Sequence, residues 1–85
     1  MSDHKGILTK YVFDDVQFAL DVKAARVKIG LSREDLALAV GYESGATIAQ
    51  IENANYGTGM PLRKYFAICN LLFLHPFDYI EIQPR

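Results

Sequence analysis

Eighty-five residues with a formal net charge of −1 make one domain with a modest core, and the near-neutral balance sets aside purely charge-driven binding. There is no membrane-length apolar run and no secretory leader pattern, so a soluble cytoplasmic protein is expected. Cys69 stands alone and cannot form an intrachain disulfide. With no metal-spaced His/Cys cluster, nucleophile-base set or phosphate-cradling glycine loop, no enzyme, cofactor or metal is expected.

Residues 1–14 read as an N-terminal arm in which Ile7 to Phe13 are rich in β-branched and aromatic side chains, a short strand in the making. Asp14 or Asp15 is the candidate cap of a first helix. Its apolar positions Val16, Ala19, Leu20, Val22, Val27 and Ile29 run to Gly30 as a stop. Ser32 to Asp35 has the form of a capping box: a hydroxyl that accepts from orphan backbone N–H groups, with an acid three residues on.

From Ser32, Leu36, Ala37 and Val40 recur at helical spacing. Gly41 falls where a left-handed residue would end the helix and redirect the chain. Ser44 is the next N-cap. Ile48 and Ile51 project back to the same core, leaving the opposite face of Gly45 to Gln50 outward. Two short helices meeting at a glycine form the layout of a helix-turn-helix, whose second helix can lie in the major groove of DNA. The small Ala37 suits the closest approach of two steeply crossing helices.

Ala54 to Gly59 forms a loop. A further helix begins near Met60-Pro61, with Leu62, Tyr65, Phe66, Ile68, Cys69 and Leu72 as its apolar positions; Cys69 belongs to the core. Pro76 opens a last short turn or helix through Phe77 and Ile80. The tail, residues 79–85, carries an alternating stretch from Tyr79 to Gln83 that reads as a strand. An isolated two-stranded ribbon is marginal in water, so the two terminal segments gain most by pairing across a dimer; the plainer reading packs them on the bundle as extended tails.

Residues 22–72 resemble the Cro and phage-repressor (XRE) family of helix-turn-helix proteins, on the run Arg26, Gly30-Leu31-Ser32, Leu36-Ala37, Val40-Gly41 and Ile48, Ile51-Glu52-Asn53. The resemblance implies an all-α, compact five-helix bundle over residues 15–78, with short terminal strands allowed outside it. It implies a structural pair between Arg26 and Glu52, which if buried fixes geometry more than it adds net stability. Two departures are visible: one extra residue between Gly41 and Ser44, and Ala54 where the family usually has glycine.

The resemblance implies a sequence-specific repressor of phage or prophage type that binds a double-stranded operator as a homodimer. Its candidate DNA-binding residues are Arg33, Ser44, Gly45, Ala46, Thr47, Ala49, Gln50, Asn53 and Asn55. Gln50 is the bidentate base reader; its plain alternative is a solvated surface residue. Thr47 and Ala49 add hydroxyl and methyl contacts. Gly45 and Ala46 either touch thymine methyls or allow close approach. Arg33 is balanced between a phosphate contact and a solvated charge, and Asn53 and Asn55 between phosphate donors and chain-turning caps. Lys28, Arg63 and Lys64 are equally plausible as phosphate partners and as solvated charges, and Tyr56 contacts phosphate or packs.

Residues 22–64 sum to +2 against −2 for residues 1–21 and −1 for residues 65–85, so the positive bias lies on the motif. It is weak, and affinity is expected to need two copies. The alternative, from a different class, is an antitoxin or adaptor whose main partner is a toxin or another protein, motivated by the acidic ends and aromatic tails.

Overall fold

The computed structural model describes residues 9–54 and 60–84. In chain order it contains strand β1 (Thr9–Phe13), helices α1 (Asp15–Ile29), α2 (Arg33–Val40), α3 (Gly45–Glu52) and α4 (Leu62–Leu72), a 3-10 turn (Pro76–Tyr79) and strand β2 (Ile80–Pro84). The fifth helix of the expected bundle is this 3-10 turn, opened by Pro76 at its first position.

The helix ends follow from local chemistry. The Asp14 carboxylate accepts from Gln17 N at 3.0 Å to open α1. Ser32 Oγ accepts from Asp35 N at 2.9 Å while Asp35 Oδ2 accepts from Ser32 N at 3.2 Å, a complete capping box. One closing motif recurs: a residue at positive φ, then an apolar residue whose N–H returns to the helix. Gly30 (φ 90) is followed by Leu31, Gly41 (φ 92) by Tyr42 and Phe73 (φ 61) by Leu74. Leu31, Tyr42 and Leu74 all pack on the core, so each reversal is fixed by backbone and burial together.

The core joins Phe18 and Val22 of α1, Leu36, Ala37 and Val40 of α2, Ile48 and Ile51 of α3, and Tyr65, Ile68, Cys69 and Leu72 of α4. Ala37 is fully buried, as expected of the close crossing. The burial of Cys69 pushes its thiol pKa up to about 11, so it behaves as a core residue. Several residues expected in the core face outward instead: Val16, Leu20, Val27 and Ile29 on α1, and Leu62 and Phe66 on α4. α1 is apolar around most of its circumference, and hydrophobicity alone does not say which stripe is covered.

β1 and β2 pair with each other, antiparallel, from Phe13↔Ile80 at the base to Thr9↔Pro84 at the far end. This corrects the expectation of strands shared between subunits, and the pairing has a local cause. Asp14 N donates to Tyr79 O at 2.7 Å, and Tyr79 Oη donates to Asp21 Oδ2 at 2.7 Å, so the start of α1 and the 3-10 turn are held side by side. Phe13, Phe18, Tyr65 and Tyr79 form an aromatic cluster under the ribbon, with neighbouring ring centroids 5.1 to 5.5 Å apart. Tyr65 Oη adds a hydrogen bond to Pro76 O. The bundle brings the strand roots together and thereby removes most of the entropic cost of closing a ribbon between distant segments.

Phe73 is 84 % exposed and holds a left-handed backbone that disfavours any side chain. Phe73→Gly is expected to stabilise the monomer by about 1 kcal/mol. Denaturant unfolding at low protein concentration checks this, and a loss of stability would contradict the assigned strain.

Candidate nucleic-acid interface

α3 is set against α1 and α2 by one carboxylate. Glu52, the last residue of α3, has a side chain with 0 % exposure, and two arginines from two other helices hold it. Arg26 of α1 donates from Nε to Oε2 at 2.5 Å and from the terminal Nη2 to Oε1 at 3.2 Å, a bidentate fork. The remaining terminal nitrogen of Arg26 donates to Leu31 O at 2.8 Å, tying the fork to the reversal after α1. Arg33 of α2 donates from Nε to Oε1 at 3.0 Å.

Burial alone would raise the Glu52 pKa. The hydrogen bonds and charges of Arg26 and Arg33 outweigh it, so the carboxyl sits below its ordinary 4.5 and is ionised at neutral pH. The expected pair is therefore a triad. Its second arginine was legible only as a surface charge, because a long side chain folding back over a helix start leaves no trace in residue spacing.

The other end of α3 is also anchored. Ser44 Oγ accepts from Ala46 N at 3.3 Å, and the Glu34 carboxylate of α2 accepts from Gly45 N at 2.8 Å. Gly45 is half-buried against the first turn of α2, so its small size serves close approach between the helices. With both ends fixed and Ile48, Ile51 and Glu52 buried, one stripe of α3 faces outward: Ala46, Gln50 and Asn53, at helical spacing. Thr47 and Ala49 flank the stripe, half-buried, and Ser44 is exposed at its start. Asn53 also ends the helix, donating its N–H to Ala49 O at 3.0 Å. Asn55 and Tyr56 lie outside the described residues.

The remaining cations divide. Lys64 of α4 donates to Val40 O at 3.0 Å and Gly41 O at 3.1 Å, with its ammonium 5.1 Å from the centre of the Tyr42 ring. It satisfies the open carbonyls at the C-terminus of α2, where helix polarity favours a cation. A Cβ at Gly41 would stand 2.5 Å from this ammonium, which a flexible lysine can move to relieve, so the positive φ is what calls for glycine there. Lys28 and Arg63 are exposed, and 43 % of the Arg33 side chain faces solvent.

No group of three or more His, Cys, Asp or Glu among the described residues is placed to hold a metal, and no helix among them is long and apolar enough to cross a membrane.

This architecture has known counterparts. The HTH_3 helix-turn-helix family model matches residues 22–77. Among solved structures, the chain is similar to the restriction-modification controller protein C.AhdI from Aeromonas hydrophila, with TM-score 0.62 and 23 % identity over 76 % of this chain and 94 % of that one. No curated protein sequence matches it.

Glu52→Gln is expected to cost about 3 kcal/mol at pH 7, because two guanidinium groups lose their buried anion. The native pKa is depressed, so the stabilisation is complete above the unfolded value near 4.5 and is lost as pH falls through the lower native value. The gap between wild type and variant should close over that acidic range. Chemical unfolding from pH 7 to pH 3 measures it, and a gap independent of pH would contradict an ionised Glu52.

Proposed function

The chain belongs to the XRE-type helix-turn-helix family of DNA-binding transcription regulators, a family of regulators and not of enzymes, and from that premise we propose a repressor of phage or prophage type. The reading stripe is Ala46, Gln50 and Asn53, with Thr47 and Ala49 at its sides, and Gln50 is the base reader by a bidentate amide contact to adenine. The single observation that carries this is the outward stripe on a helix anchored at both ends, by Glu34 and Ser44 at one and by the Glu52 triad at the other. Arg33 grips phosphate with the terminal nitrogens that its bond to Glu52 leaves outward. Repression follows from occupying a promoter, with no cofactor.

The stripe is nearly uncharged, so one copy binds weakly and two copies on two half-sites, roughly 34 Å apart, supply the affinity. The face across which they pair is that of α4 and the 3-10 turn. A groove lined by Arg63, Phe66, Ala67, Asn70, Leu74 and Pro76 lies there, and Phe73 and Phe77 project beside it, 84 % and 76 % exposed. Knob and groove on one surface are what a two-fold interface requires. Charge complementarity supports a second copy as the occupant. Arg63 borders the groove and Asp78 lies on the turn beside it, and neither side chain forms an ion pair among the described residues. A two-fold contact brings each against the other across the interface.

Selection of bound duplexes from a random pool should yield a palindromic consensus, and Gln50→Ala should flatten the preference at one base pair of each half-site by about 1–3 kcal/mol. No enrichment above background would overturn the reading. Arg63→Asp and Asp78→Arg should each weaken self-association in sedimentation equilibrium, and the combined variant should restore it. Unchanged association in both single variants would remove this face from the dimer.

A further inference from the structure

The first turns of α2 and α3 meet at one corner. A Cβ at Gly45 would stand 3.0 Å from the Glu34 backbone nitrogen, 3.0 Å from Glu34 Oε1 and 3.2 Å from the Arg33 carbonyl carbon. Glu34 Oε1 accepts from Gly45 N at 2.8 Å, so a carboxylate sits on an otherwise orphaned N–H at the positive end of the reading helix. In a helix-turn-helix the first helix crosses the DNA backbone while the N-terminal residues of the second enter the groove, so a corner shared by the two first turns lies beside the phosphates.

Arg26 and Arg33 outweigh Glu52 by one positive charge, the local attraction to phosphate that Glu34 opposes, and Lys64 is committed to the far end of α2. Glu34 remains exposed, as do Asp35 and Glu43 beside it. A protein that only needed a cap for Gly45 N could use a neutral acceptor. A glutamate there supplies the hydrogen bond and also a fixed negative charge beside the duplex.

We propose that Glu34 is an affinity-setting residue of the DNA interface, a counter-charge that keeps the hold of a single copy on phosphate weak, so that occupancy depends on two copies bound together. This rests on the DNA-reading function proposed above. Phosphate attraction is the sequence-independent part of binding, so the charge lowers affinity and its salt dependence and leaves base preference unchanged. A weak half-site makes occupancy depend on two copies binding together.

The test compares wild type, Glu34→Gln and Glu34→Ala on a duplex with a single half-site, at about 50 mM and about 200 mM salt. The glutamine keeps an oxygen for Gly45 N and loses only the charge. It should bind roughly threefold tighter at the lower salt, the size of one screened charge at phosphate distance. The gain should shrink at the higher salt, with the selected bases and the unfolding temperature unchanged. The alanine variant should show the same gain with a lower unfolding temperature, since the acceptor is gone as well. Equal or weaker binding by Glu34→Gln at low salt, with wild type binding normally, overturns the role of Glu34 and leaves the DNA reading intact. Wild type binding no duplex at all overturns both.

Discussion

The fold turns on one buried anion. Glu52 brings a negative charge to the end of α3, and two arginines from α1 and α2 meet it there, so three helices share a single carboxylate. Such a cluster adds modest net stability because each charge is desolvated, but it is intolerant of displacement, since moving any helix would leave a buried charge unmatched. The geometry is fixed most firmly where a DNA reader needs it. A shift of α3 would displace the outward stripe that carries Gln50, the proposed base reader, whereas a shift in a loop would cost little.

The same logic accounts for the use of charge elsewhere. Several motif cations, which as a bare sum suggest a weakly basic face, serve the protein itself: Arg26 on Glu52 and Leu31 O, Arg33 in part on Glu52, and Lys64 on the carbonyls ending α2. What remains outward on α3 is uncharged. A reader built this way has little sequence-independent attraction to draw on, which is why the proposed recognition relies on rigid placement of short and neutral side chains and on two copies.

Features written in contiguous residues were legible beforehand. The capping box at Ser32, the reversals at Gly30 and Gly41, the cap at Ser44 and the buried Ala37 each follow from a few neighbouring side chains, and each is present. The Arg26–Glu52 pair was legible through family resemblance, because its partners lie 26 residues apart. The bond from Gly45 N to Glu34, the Lys64 cap and the second arginine on Glu52 were missed, since each depends on how far a flexible side chain reaches across a tertiary gap. Phe73 concealed a helix ending that glycine would have announced. The strands were recognised but their partners were not: residues 13 and 80 become neighbours only once the bundle has formed. Leu62 and Phe66 looked like core and face outward, on the face proposed to pair with a second copy.

The central claim is that the outward stripe of α3, braced through Glu52, is the surface that meets DNA. Titrating the backbone-labelled protein with a selected duplex and following its amide chemical shifts tests this most directly. The account predicts the largest changes over residues 44–53 and at the start of α2, with α4 little affected by the DNA itself. Changes centred on α4 and the 3-10 turn, with α3 silent, would contradict it.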